Sequence, residues 1–212
     1  MGKIQKAEQV LLKSRWSEQS KRTYLDRQLW DKVWSFGDYF TDMLFEPGSV
    51  TDSFLKCAVK DSGEWMDDYV IRPDGIRCFS YECFCYRVRS LKEPYLACFN
   101  QKSYSLTVDS RHLDDDFPVL HEMIHMHEFV LDIYPQYYRD AITFCLYKDL
   151  CNRMAPEELD VRIKSHLHIA NQNKFASCFG EHDLLFLLKS FDLDFKQGYK
   201  LGTVFGYGMV NT

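Results

Sequence analysis

Residues 119–125 read Val119-Leu120-His121-Glu122-Met123-Ile124-His125, and that run decides what kind of protein this is. On a helix, positions four apart lie on one face, with Cβ atoms about 5–6 Å apart. His121 and His125 can therefore offer two imidazole nitrogens to one ion, each at roughly 2.0–2.1 Å. Glu122 stands about 100° round the helix from His121. It can lie beside such an ion without ligating it, where a carboxylate can take a proton from water. The apolar neighbours Val119, Leu120, Met123 and Ile124 predict a buried helix. Asp114-Asp115-Asp116 and Pro118 predict its start, because acidic caps and a first-turn proline suit a helix N-terminus. It is expected to run to about Asp132, ahead of Pro135.

Upstream the period changes to two. Tyr104, Leu106 and Val108 alternate with Ser105, Thr107 and Asp109, as in a strand. Tyr95–Phe99 predicts a second strand, joined to it by a turn at Asn100–Ser103. Tyr69–Ile71 and Ile76–Val88 flank Pro73-Asp74-Gly75 and predict a hairpin. A sheet of three to five strands thus precedes the histidine helix. Residues 1–45 read as helical, with a short basic helix ending at Val10-Leu11-Leu12. The stripe that follows is Leu25, Leu29, Trp30, Val33, Trp34, Phe36, Tyr39, Phe40, Met43 and Leu44. Glu46-Pro47-Gly48-Ser49 stops it. Downstream, helices are expected over about Tyr137–Met154, from Pro156 onward, and over Glu181 to about Ser190. The glycine-rich tail Tyr199–Tyr207 reads as a docked strand or loop. The expected architecture is α+β in a single domain, 1–212. It divides into a helical segment 1–45, a sheet with metal-binding helices over 68–154, and a helical extension 155–212.

Composition narrows the function classes. The 212 residues carry 26 Lys and Arg against 31 Asp and Glu, a net charge of −5, which argues against broad nucleic-acid binding. At 46% hydrophobic and 27% charged, the chain has the makings of a packed core. No apolar run reaches the roughly 18 residues of a membrane span. Met1–Lys6 lacks the apolar core of a secretory signal. These features predict a cytoplasmic protein with no membrane partner. Eight cysteines occur without a C-x-x-C pair, so reduced, mostly buried thiols are expected.

Two imidazoles do not complete a metal site. Asp140, early in the next helix, is the expected third ligand, with Asp149, His166 and His182 as alternatives. His166 and His168 point to different sides of a helix. Glu181-His182-Asp183 reads foremost as a capped helix start. Glu128 lies about 4.5 Å beyond His125 along the axis, better placed to orient an imidazole than to ligate.

The run Leu120–His125 resembles the active-site helix of the SprT-like zinc metallopeptidases, a zincin family with the H-E-x-x-H motif. Ala97-Cys98 and Ser105–Val108 are similar to the family's two strands before that helix, and the resemblance covers about residues 30–153. It implies a zincin-like fold, with a small antiparallel or mixed sheet packed on the active-site helix. It also implies a Zn²⁺ cofactor and a peptide or protein substrate. The family's third ligand is a His shortly after the helix, four residues before a Phe, a place that Asp140 takes ahead of Phe144. Hydrolysis would use a metal-activated water with Glu122 as general base. Tyr137, Tyr138 and Tyr147 are the nearest candidates for stabilising an oxyanion. The zinc ribbon and basic tail of many members have no counterpart here, which with the acidic balance argues against DNA-linked substrates. The Asp in place of His and the helices beyond residue 155 support an alternative: a zincin scaffold for binding or regulation, its metal structural or vestigial. A non-peptidase metal hydrolase is a third reading.

Overall fold

Thr23 begins the first helix, α1 (Tyr24–Ser35), through a reciprocal cap. Its hydroxyl accepts from Asp26 N at 3.1 Å while the Asp26 carboxylate accepts from Thr23 N at 3.0 Å, which satisfies two otherwise orphaned donors. The computed structural model describes residues 23–43, 81, 84–132, 136–172 and 182–206. The expected helix before residue 13, the stop at 46–49 and the hairpin residues 69–80 lie outside them. Contacts divide the chain into two units, Met1–Leu44 with Arg77–Pro135 and Phe45–Ile76 with Gln136–Thr212.

In the first unit, α1 leads into a 3-10 turn over Gly37–Met43. Leu29, Val33, Phe36, Phe40 and Met43 are buried, whereas Leu25 and Trp34 of the expected stripe are exposed. The inward face is shared with a charge: the buried Asp26 carboxylate accepts from Val88 N at 2.8 Å and from Arg89 Nη1 at 3.3 Å. Burial pushes that carboxyl up, but the N–H donors of Val88 and Thr23 and the Arg89 charge hold it below its ordinary value.

Three strands form a sheet of order β1-β3-β2 among the described residues. β1 (Cys85–Arg89) runs parallel to β3 (Ser105–Asp109), with Tyr86 opposite Leu106 and Val88 opposite Val108. β2 (Ala97–Asn100) runs antiparallel to β3 and forms the other edge. The central β3 is buried on both faces at Ser105, Leu106, Val108 and Asp109. In the β2–β3 turn, Asn100 Oδ1 accepts from Lys102 N and Ser103 N at 2.9 and 3.1 Å, as Asn favours in turns. Tyr104 takes a left-handed φ of 49° there. Helix α2 (Phe117–Leu131) packs on β2 and β3. Its start is gripped by Lys32, whose Nζ reaches Asp116 Oδ1 at 2.7 Å and Leu113 O at 2.7 Å. Inside the unit His127 is a core residue. Its ring stacks on Phe40 at 4.4 Å, with Nδ1 2.7 Å from Met123 O and Nε2 3.2 Å from Tyr81 Oη.

The second unit is helical in its described residues: α3 (Gln136–Cys151), α4 (Pro156–Gln172), α5 (Leu184–Gln197) and the short α6 (Thr203–Gly206). Helix α5 is central, in contact with the other three and buried without interruption from Leu185 to Asp194. It outruns its expected end at Ser190 and stops at Gly198, whose φ of 70° suits glycine. The tail is not the expected strand or loop. Asp194, fully buried, accepts from Gly202 N at 2.7 Å through Oδ2 and from Val204 N at 3.0 Å through Oδ1. Those bonds draw the glycine-rich segment into a helical turn.

The fold is thus α+β, with six α-helices and a three-stranded mixed sheet among the described residues. None of these helices is long and apolar enough to cross a membrane. The described cysteines carry no disulfide, and they are less buried than expected: Cys98 is exposed, and Cys85, Cys145 and Cys151 are half-buried.

Candidate metal centre

Val119, Leu120, Met123, Ile124 and Met126 bury α2 in the first unit and carry His121 into the interior with it. His121 is fully buried and His125 half-buried, their ring centroids 5.2 Å apart at 73°. This is the one-turn spacing that the sequence predicts. Glu122, also buried, turns toward the sheet edge, where its Oε2 accepts the Phe99 N–H of β2 at 2.7 Å. Partial burial, and then the charge of Glu122, push the neighbouring Cys98 thiol up. Glu128 Oε2 stands 3.5 Å from His125 Nδ1, placed to orient that ring as a carboxylate behind a ligating imidazole does.

His182 lies two residues before the start of α5. The next residue, Asp183, caps the helix: Oδ1 accepts from Phe186 N at 3.1 Å, and Oδ2 from Arg139 Nη2 and Nε at 2.7 and 3.2 Å. The His182 ring stacks on Phe186 at 4.2 Å and 21° and meets Phe205 at 5.4 Å. His121 and His125 belong to the first unit and His182 to the second, and each offers an imidazole nitrogen of the kind that could hold a metal ion.

Asp140, the expected third ligand, lies in the second unit on α3. It is exposed, and its carboxylate accepts from Gln136 Nε2 at 3.0 Å, one turn back on α3. Among the alternatives, Asp149 pairs with Arg153 at 2.8 Å. His166 belongs to the core of its unit, its Nδ1 2.8 Å from Arg162 O and its ring edge-on to Phe191 at 5.1 Å. The side chains of His168, Tyr137 and Tyr138 lie outside the described residues. Tyr147 donates to Asp160 Oδ1 at 2.9 Å, a bond that pushes its hydroxyl up to about 12. It is committed to that carboxylate and not to an oxyanion. The cap formed by Asp183 is sufficient to explain the segment as a helix start, which leaves no separate sequence signal at His182.

Comparisons with protein-family models, curated proteins and solved structures returned no match. The chemistry of the donor set then decides which ions fit. Imidazole nitrogens suit zinc, copper, iron and nickel, whereas calcium and magnesium require oxygen ligands. Three protein donors are the complement of a catalytic zinc site; a structural one is closed by four.

Proposed function

We propose that this protein is a zinc-dependent peptidase with a zincin-like fold, its ion held by His121, His125 and His182. The observation that carries this reading is the pair of imidazoles, His121 and His125, one turn apart with the buried Glu122 carboxylate at the helix position beside them. Support comes also from the resemblance of Leu120–His125 to the active-site helix of the SprT-like metallopeptidases. When bound, the zinc ion polarises a peptide carbonyl and lowers the pKa of water at the site. Glu122 would be the base that takes a proton from water there and returns it to the leaving amine. The Phe99 N–H fixes one carboxylate oxygen and so sets the direction of the other. Glu128 holds the His125 ring in one orientation.

Metal analysis of the purified protein should find near-stoichiometric zinc. The Glu122→Gln variant should keep that zinc and lose hydrolysis of a fluorescently labelled unstructured protein by about 10²–10⁴-fold, the usual worth of a general base. A protein that takes up no zinc, or a variant as active as the parent, would sink the reading. The second reading, a zincin scaffold for binding, is favoured by one observation: Glu122 is only 3% exposed and already bonded to backbone. Stoichiometric zinc with no hydrolysis in the parent protein would select it.

A further inference from the structure

The aromatic setting of His182 is built by a part of the chain that the hydrolytic reading does not use. Within the second unit, Phe186 lies against one side of the imidazole and Phe205 meets it at 5.4 Å, tilted by 59°. Phe186 is fixed by α5, on which it sits. Phe205 belongs to α6, a single turn that lacks the length to hold itself, since a helix so short pays for nucleation without propagation. What holds it is Asp194, through its bonds to Gly202 N and Val204 N. Phe205 is also 5.9 Å from the His166 ring and 6.0 Å from Phe186, so displacing it would open the aromatic group on the side of His182.

We infer that Asp194 and Phe205 are positioning residues for His182: the Asp194 carboxylate caps α6, α6 presents Phe205, and Phe205 holds the His182 imidazole in the orientation in which it ligates. The inference rests on the reading of His182 as a metal ligand. A ligating ring left to rotate must be ordered when the ion binds, and the entropy lost then appears as weaker affinity. Residues that orient a ligating His from behind are worth about 10–100-fold in metal affinity. Asp194 and Phe205 should fall at the lower end, because they orient by cap and packing rather than by a bond to the ring.

The experiment uses the whole chain in two arms. In the metal-free protein with labelled histidines, the His182 ring protons are identified by their absence from a His182→Gln variant. Asp194→Asn puts an amide N–H₂ where a carboxylate oxygen accepted, so α6 shifts and the His182 ring signals move while those of His121 stay. In the second arm zinc affinity is measured by competition with a chelator. Asp194→Asn and Phe205→Ala should each weaken it about tenfold, and Phe205→Leu, which refills most of the space, should restore most of the loss. A folded Asp194→Asn variant with unchanged His182 signals, or affinities within about twofold of the parent in both Asp194→Asn and Phe205→Ala, would overturn the inference. If Asp194→Asn does not fold, the Phe205 pair decides. If the parent binds no zinc, the metal reading falls, and the ring signals of the metal-free variant still decide whether Asp194 positions His182.

Discussion

Zinc affinity should fall by at least about a hundredfold in a His182→Ala variant and should not change in Asp140→Ala. Loss of an orienting residue behind a ligand already costs about 10–100-fold, and removing a donor atom removes more than its orientation. With two imidazoles left, the ion would have to complete its shell with water, the condition of a weak site. Asp140 predicts the opposite. It is solvent-exposed and bonded to Gln136 on its own helix, so its truncation removes a surface hydrogen bond and no donor to the ion. Chelator competition near neutral pH reads both, with His121→Ala as the reference for a lost ligand. A His182→Ala variant that binds as the parent does would refute the three-histidine assignment. A loss in Asp140→Ala as large as in His121→Ala would give the third position to Asp140.

The contrast between those residues also marks how far the sequence carries. Local patterns predict the helix of His121 and His125, its start behind the acidic run, the two strands before it, and the role of Glu128 behind His125. Each depends on residues within one or two turns of one another, where periodicity speaks directly. A third ligand is a matter of residues distant in sequence, where periodicity is silent. Asp140 follows the helix closely, and at His182 the cap of Asp183 is a sufficient reason for a helix to begin. Helix α5 outruns its expected end for a related reason. Lys189, Asp192 and Asp194 look like a solvated end, yet all three are buried. Their charges are met by partners that the one-dimensional pattern does not display: Asp192 for Lys189, and the backbone of residues 202 and 204 for Asp194. The turn of α6 was missed with them, because its cap is supplied from eight residues away.

Those buried charges make the second large prediction: Asp192→Ala should lower the unfolding free energy of the protein by about 3–5 kcal/mol, the cost of removing one partner from a buried pair. Lys189 Nζ is fully buried and donates to Asp192 Oδ2 at 2.8 Å; Lys196 Nζ reaches the same oxygen at 2.7 Å. Taking the carboxylate away leaves the buried ammonium without that counter-charge. Replacing Lys189 as well, in Lys189→Met with Asp192→Ala, should recover most of the loss, since an apolar substitute for both partners is often neutral. Urea unfolding measures each variant, and an Asp192→Ala change of under about 1 kcal/mol would show that the pair contributes no more than a surface bridge. The two neighbouring carboxylates should also give opposite responses to pH. Burial pushes Asp192 up, but Lys189 and Lys196 outweigh it and hold the carboxyl below its ordinary value. Its contribution is present above the unfolded value of about 3.9 and is lost as pH falls through the lowered one. Asp194 is raised to about 7, because burial outweighs the N–H donors of Val204, Gly202 and Thr203. There the folded state keeps a proton that the unfolded chain releases, so Asp194 withdraws stability as pH rises from about 4 to about 7. Asp194→Asn should remove that decline and leave the acid-side loss from Asp192 in place. A decline between pH 4 and 7 that persists unchanged in the variant would mean that another group carries it.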